Sequence, residues 1–340
     1  MFKKTVLLLI VMTIVVSLSV FAQAAGENGL LKSSGGGRTV TLKDGTVYPT
    51  RQITLIVPQK EGGGTDIFCR QLAAQMSDII GQPIVVTNIT GASGLKGIGE
   101  AMNAAPDGYT LVASNPPGEQ IAYLAQNPGY DMSKLTCISG YSKDIICIVA
   151  SSKIPYNTLP ELIEAYKTKK LENIGAPGKG DAGYISINMV KDQAGLDFSN
   201  LITYGGSADV VSAIIRDEIP VGIAPSNAFV TAVADGDVKV ICALSDNRFP
   251  TLPDIPAYGE YGYPSIEATT ILSRCVFAPE NVPAEIVSFL EGVIKEVVES
   301  QAFIDFAAGR KLPAIYFNSA ETRKILDGAL ALGEKVDLSN

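Results

Sequence analysis

The sequence predicts an α/β protein of two domains, and three observations carry that reading. Apolar runs of strand length alternate with segments of helical period along most of the chain. The order strand, Gly-rich loop, helix recurs at residues 62–66, 91–94, 178–183 and 205–207. The 340 residues exceed one domain on a prior of ~150 residues per domain. Alternation of this kind implies mostly parallel sheets.

At the N-terminus Lys3 and Lys4 precede an apolar run over 6–21, and Ala22-Gln23-Ala24 supplies a small-x-small cleavage pattern. Residues 1–24 therefore read as a signal peptide cleaved after Ala24, which implies an exported, periplasmic protein. An uncleaved anchor is the alternative, but the run is short for a span of ~20 residues. Residues 26–37 are Gly- and Ser-rich and read as flexible. Residues 38–50 alternate around Asp44-Gly45, a hairpin signal. The span 25–47 is thus expected to be a flexible segment with a hairpin.

An apolar strand at 53–57 ends at Pro58 and leads into Glu61-Gly62-Gly63-Gly64-Thr65-Asp66. Phe68, Leu72, Met76 and Ile79 follow at spacings of three and four, so 66–80 is an amphipathic helix, stopped by Gly81-Gln82-Pro83. A strand at 84–87 precedes Gly91-Ala92-Ser93-Gly94 and a short helix. Asp107-Gly108 turns the chain into a strand at 109–114, and 135–140 and 145–150 read as two more β stretches. Thr158 caps a helix with Pro160 in its first turn. A strand at 173–176 enters the loop 177–183 and a helix carrying Ile187 and Val190. A strand at 201–204 meets Gly205-Gly206-Ser207 and a helix carrying Val211, Ile214 and Ile215. Strands at 220–224 and 238–244 and a Pro-rich connection at 249–264 lead to a strand at 269–278. Two helices, a strand at 314–317 and a helix from Ser319 complete the chain.

Composition removes several function classes. The formal charge is −8, from 27 basic and 35 acidic residues, and becomes −10 without Lys3 and Lys4. Nucleic acid is a poor partner for such a chain, and any anion site must be built locally. There is no His, which removes the Ser-His-Asp triad, the usual zinc ligands and the commonest general base. No cofactor or metal is expected. The five cysteines, Cys69, Cys137, Cys147, Cys242 and Cys275, are scattered and mostly flanked by aliphatic residues, so buried thiols are favoured. A Cys147–Cys275 bridge is the one pairing considered.

The Gly-rich loops carry the functional signal. A loop after a parallel strand lies at the sheet edge where ligands bind. The helix that follows offers unpaired N–H groups and a partial positive charge. Several such loops around one cleft make an anion site without Lys or Arg. One such loop alone is usually only a tight connection. Neither the P-loop nor the dinucleotide fingerprint fits the Gly62 loop. Asp66 either supports its helix start or faces the cleft, and Tyr204 either donates its hydroxyl to a ligand or packs. Ser93, Ser114 and Ser207 are candidate hydroxyl donors. Lys179 and Arg274 are the basic residues best placed to pair a second carboxylate, with a solvated surface charge as the plain alternative.

Taken in order, these landmarks resemble the substrate-binding receptors of the tripartite tricarboxylate transporter family, the TctC or Bug type. The resemblance runs from Tyr48-Pro49-Thr50-Arg51 through Gly62-Gly63-Gly64-Thr65-Asp66 and Asn88-Ile89-Thr90-Gly91-Ala92-Ser93-Gly94. It continues through Ala105-Pro106-Asp107-Gly108-Tyr109, Tyr204-Gly205-Gly206-Ser207-Ala208, Leu252-Pro253-Asp254-Ile255-Pro256 and Phe277-Ala278-Pro279. It implies an α/β, two-lobed, periplasmic-binding-protein-like (flytrap) fold, with mostly parallel sheets and crossover strands. Lobe 1 is expected to comprise 48–147 plus 275–340, and lobe 2 to comprise 148–274.

The resemblance places ligand contacts at Gly63, Gly64, Thr65 and Asp66, at Gly91, Ala92, Ser93 and Gly94, and at Ser114. In the second lobe it places them at Gly178, Lys179, Gly180, Asp181 and Gly183, and at Tyr204, Gly205 and Gly206. It implies no catalysis, a monomer, a small carboxylate or amino-acid-like ligand, and partner permease subunits of a tripartite tricarboxylate-type transporter. The chain departs from the family at Gln59-Lys60-Glu61, at Gly178-Lys179-Gly180-Asp181 and at Gly205. Asp181 favours a ligand amine or neutral tail, and Lys179 the opposite. A sensory receptor and an exported α/β enzyme working through Asp66 or Lys179 are the competing functions.

Overall fold

The computed structural model describes residues 31–34, 37–178, 181–310 and 312–334. The expected signal peptide, most of the flexible segment after it, Lys179 and Gly180 lie outside the described residues. The chain opens with β1 (Leu31–Ser34), β2 (Gly37–Thr41) and β3 (Val47–Tyr48). It continues with β4 (Ile53–Val57), α1 (Gly64–Ile80), β5 (Ile84–Asn88), α2 (Leu95–Met102), β6 (Thr110–Ser114) and α3 (Gly118–Gln126). A long strand, β7 (Thr136–Ser151), leads to α4 (Leu159–Lys167), β8 (Asn173–Pro177), α5 (Ala182–Ala194) and β9 (Asn200–Tyr204). Then come α6 (Ser207–Ile215), β10 (Val221–Pro225), α7 (Ser226–Ala234), β11 (Val238–Ala243), α8 (Glu267–Thr270) and β12 (Ile271–Ala278). Helices α9 (Ala284–Val298), α10 (Gln301–Ala308) and α11 (Ser319–Leu330) close the described chain.

Two sheets share β7. From Thr136 to Ile145 it pairs antiparallel with β12, and the first sheet runs β5-β4-β6-β12-β7, with β5, β4 and β6 parallel. From Ile146 to Ser151 it lies between β10 and β11, both antiparallel to it, and β8 and β9 continue from β10 in parallel. This is the two-lobed flytrap fold. Each sheet is covered on both faces, which is why its strands read as nearly unbroken apolar runs. Along β7, Ile146, Ile148 and Ala150 enter one core of the second lobe, and Ile145, Cys147 and Val149 enter the other.

The sequence divides β7 into two stretches because Tyr141-Ser142-Lys143-Asp144 interrupts its apolar character. The structure keeps one strand because these groups find partners. Ser142 Oγ donates to Pro313 O at 2.8 Å, and Lys143 lies 4.1 Å from the Phe317 ring centroid. Asp144 accepts from Ser226 Oγ and from Ile145 N. The register against β12 shifts between Arg274 and Cys275, a local bulge of the kind that re-aims side chains.

Other departures are small. The expected strand at 314–317 is only a bridge between Phe317 and Gly140. Residues 269–270 belong to α8. Helices α3 and α7 gave no clear signal: the first is short, and the second carries exposed Val230 and Val233 beside buried Phe229 and Ala232. Thr158 caps α4 in a capping box with Glu161. The β2–β3 hairpin docks on the first lobe, with Val40 and Tyr48 in its core. All five cysteines are free and buried, so no Cys147–Cys275 bridge forms.

Gly140 and Phe317 exchange backbone hydrogen bonds, and a Cβ on Gly140 would fall 1.8 Å from Phe317 Cζ. The ring, 1% exposed, occupies the space of the missing side chain. Phe317→Ala is expected to lower unfolding free energy by about 3–5 kcal/mol and Gly140→Ala by about 1–3 kcal/mol. Urea denaturation checks both, and an unchanged midpoint for both would remove this contact from the account of β7.

Candidate functional site

The first wall of the cleft comes from loops at the carboxyl ends of β4, β5 and β6. In the loop before α1, Gly62 has φ +74, a conformation a Cβ disfavours, and Gly63 is the N-cap. Asp66 lies in the first turn, buried, and both oxygens are engaged. Oδ2 accepts from Gly62 N and from Arg70 Nε, each at 2.9 Å, and Oδ1 accepts from Asn88 Nδ2 at 2.9 Å. Asn88 Oδ1 accepts in turn from Arg70 at 2.9 Å, and Asn88 Nδ2 also reaches Gln59 O. Burial alone would raise the Asp66 carboxyl; the bonds from Arg70, Gly62 and Asn88 outweigh it and leave it below its ordinary value.

The loop after β5 is the more strained. Gly91, Ala92, Ser93 and Gly94 all have positive φ, at 132, 47, 55 and 96. Two of these are not glycine, a cost that local structure must offset. The loop after β6 places Asn115 between the halves of the cleft, and its Nδ2 donates to Thr65 Oγ1 at 2.7 Å. Glu119, in the first turn of α3, is buried. It accepts from Asn115 N at 2.8 Å, from Ser114 Oγ at 3.2 Å and from Gln59 Nε2. Burial pushes its carboxyl up despite those donors.

The second wall comes from β8, β9, β10 and their helices. Asp181 is the N-cap of α5, its Oδ1 accepting from Gly183 N at 2.7 Å. The residue keeps solvent contact, yet the protein mass beside it raises its carboxyl, partly offset by the Gly183 bond. Ser207 begins α6. Between the walls lies β12, with Arg274 half-buried at the register shift.

These elements line two neighbouring spaces. One, of about 480 Å³, is lined by Gly91, Ser93, Gly94, Gln59, Lys60 and Glu119 among others. The other, of about 220 Å³, is lined by Asp181, Gly183, Ser207, Ser273, Arg274 and the β10 edge. Asn115 and Gly118 line both. A separate cavity of about 470 Å³ shares no lining residue with them; Pro116 and Pro117 face it from the same turn, and its Arg248 is paired with Glu260.

Of the expected residues, the structure brings Gly91, Ser93, Gly94, Asp181 and Gly183 to these walls. Thr65 reaches the cleft through Asn115, and Ser114 through Glu119. Gly63, Gly64, Asp66, Ala92, Gly178, Gly205 and Gly206 lie on the supporting loops, outside the lining of either space. Tyr204 packs in the second-lobe core beside Gly175. Sequence reasoning passed over Asn115, Gly118 and Glu119. Pro116-Pro117-Gly118 directly after a strand is turn punctuation that marks another loop at the same sheet edge. Among the described residues no group of acidic and Cys side chains could hold a metal, and no helix is long and apolar enough to cross a membrane.

Asp66→Asn replaces an acceptor that three donors share, so a loss of about 1–3 kcal/mol is expected. Because the carboxyl lies below its ordinary value of about 3.9, its contribution is complete above that pH and is lost as pH falls through the lowered value. Thermal melts should show a deficit at neutral pH that shrinks in acid. Equal melting temperatures at neutral pH would show the bond network to be dispensable.

Residues 68–335 match the family described as tripartite tricarboxylate transporter family receptor. The protein BugT of Bordetella pertussis is 29% identical over 273 residues, covering 79% of this chain and 83% of BugT. The crystal structure of a TctC solute binding protein from Polaromonas, without ligand, superposes with a TM-score of 0.77 at 23% identity, over 85% of this chain and 98% of that one. An R. palustris protein with adipate gives 0.63 at 25% identity, over 85% and 96%. MatC from Rhodopseudomonas palustris with bound malate gives 0.61 at 22%, over 86% and 100%. The chain belongs to the tripartite tricarboxylate transporter receptor family, the solute-binding proteins of the TctC and Bug type.

Proposed function

We propose that this chain is an exported receptor that captures a small carboxylate-bearing solute between its lobes and delivers it to a tripartite tricarboxylate-type membrane transporter. The observation that carries the reading is a cluster of unfinished polar groups. Among the described residues, five buried side-chain atoms have no hydrogen-bond partner: Gln59 Oε1, Asn115 Oδ1, Gln120 Oε1, Ser273 Oγ and Arg274 Nε. All but Gln120 belong to residues lining the cleft. Buried polar groups are nearly always paired, so such a cluster calls for a ligand or ordered water to complete it.

Backbone N–H groups at the starts of α5 and α6 and in the loop 91–94 supply donors without bringing a mobile cation into an acidic protein. A charge-assisted hydrogen bond contributes roughly 1.5–3 kcal/mol, so a few of them support micromolar binding, about −8 kcal/mol, after association costs. Malate and adipate in the two R. palustris relatives support a carboxylate ligand. Lobe 1 is taken as 48–147 plus 275–340 and lobe 2 as 148–274; the change of β7 partners after Ile145 supports that division. A sequence without His, in a binding-protein family, supports binding without turnover. Delivery to permease subunits, and export by cleavage after Ala24, follow from the family and the N-terminal pattern.

Titration calorimetry against mono-, di- and tricarboxylates and amino acids is expected to find one site per chain, and Asn115→Ala to weaken the best ligand about 10-fold. No heat and no thermal stabilisation with any of them would end the proposal. Affinity should also fall as pH rises. Burial holds Glu119 above its ordinary value of about 4.3, and its ionisation as pH rises through the raised value adds one negative charge to the wall. Glu119→Gln should flatten that slope in part, because Asp181, also raised, titrates on the opposite wall. An unchanged slope would clear Glu119 of the effect.

A further inference from the structure

The cavity of about 470 Å³ beyond the Pro116-Pro117 turn matches the larger space of the cleft in size and shares no lining residue with it. Its walls come from both lobes. Helix α11 gives Ile325 and Gly328 and packs into the first lobe through Leu326. The loop after β11 gives Phe249, a member of a second-lobe core. Between them stand Lys143 of β7, Ala268 of α8 and Ile271 at the start of β12. Most of the lining is apolar, with Ile315 and the two prolines adding to Phe249, Ile271 and Ile325. Gly328 keeps one side open: a Cβ there would meet no atom within 4 Å. Glycine inside a helix is less favourable than alanine, so local packing does not call for it.

Four charged residues line this cavity: Lys143, Arg248, Glu267 and Lys324. Arg248 is spent on Glu260, through Nε at 2.8 Å and Nη2 at 3.2 Å. Glu267 Oε1 accepts from Asp246 N at 2.9 Å. Lys143 lies over the Phe317 ring and Lys324 is exposed, and neither forms an ion pair with a described residue. Two ammonium groups against one carboxylate leave a positive surplus around an apolar space.

A cavity within the ~300–1,000 Å³ range of small-molecule sites, apolar inside and edged by positive charge, fits an occupant with an apolar body and one negative head. We infer that it is a second ligand site, separate from the cleft, which takes amphipathic monocarboxylates with chains of about eight carbons. The chain lies among Phe249, Ile271, Ile315 and Ile325, and the carboxylate meets Lys324 at the solvent side, with Lys143 adding to the field. The cleft reading rests on backbone donors, whereas this site works by buried apolar area, so chain length separates the two. The inference goes beyond the receptor reading and does not depend on it.

The test titrates butyrate, hexanoate, octanoate and octanol into the purified protein by calorimetry. Affinity is expected to rise about 3- to 4-fold per added CH₂ from butyrate to octanoate, and octanol to bind at least about 3-fold more weakly than octanoate. Gly328→Leu puts a side chain into the open space and should weaken octanoate at least about 10-fold. Lys324→Gln should weaken it about 2- to 5-fold. In the unaltered protein, octanoate should move the methyl resonances of Ile315 and Ile325 and leave those of Ile146 and Ile223, which line the cleft, in place. That readout holds whether or not a variant folds. No saturable octanoate binding, octanol binding as tightly as octanoate, full affinity in a folded Gly328→Leu variant, or shifts at Ile223 in place of Ile325 overturns the inference. Those outcomes leave the receptor reading standing; it fails when no carboxylate or amino acid moves the cleft residues.

Discussion

One strand belongs to both lobes. Because β7 contributes its first ten residues to one sheet and its last six to another, each sheet is completed by the chain that starts the other. The chain therefore passes between the two sheets along β7 and again at the start of β12. The side chains at those crossings are held by hydrogen bonds. Asp144 is tied to the N-terminus of α7, Ser273 N to Pro116 O, and Thr270 Oγ1 to Leu244 O. The cleft opens beside this belt, and Ser273 lines it.

The acidity of the chain shapes the rest of the site. With a formal charge of −8, the protein has no long-range attraction for an anion. It relies instead on short-range donors whose positions are fixed by other bonds. Asp66 shows the pattern: a carboxylate next to an anion site would be repulsive if free, but here Arg70, Asn88 and Gly62 consume both its oxygens. The negative charge stabilises the start of α1 and holds the glycine loop in shape. Asn115 extends the same network to the β6 loop through Thr65.

Much of this was legible in the sequence, and the failures have local causes. Strands buried on both faces are continuous apolar runs, and Gly-rich loops before helices punctuate them, so the α/β alternation was visible. The unity of β7 was not, because a polar stretch that finds buried partners far away in sequence looks the same as a loop. The turn after β6 is harder to read, because Asn115-Pro116-Pro117-Gly118 lacks the repeated glycines that mark the other loops. Asp66 could be placed at a helix start, but only the fold shows Asn88 closing over it from the next strand.

The five cysteines bear on handling rather than recognition. Each is buried, and burial pushes the thiols of Cys69 and Cys242 up to about 12, so the folded protein presents almost no thiolate to an oxidant. Unfolding removes that protection from all five at once. In an oxidising compartment the redox-sensitive species is the open chain, and a wrong pairing among cysteines that the native fold keeps reduced would block its return.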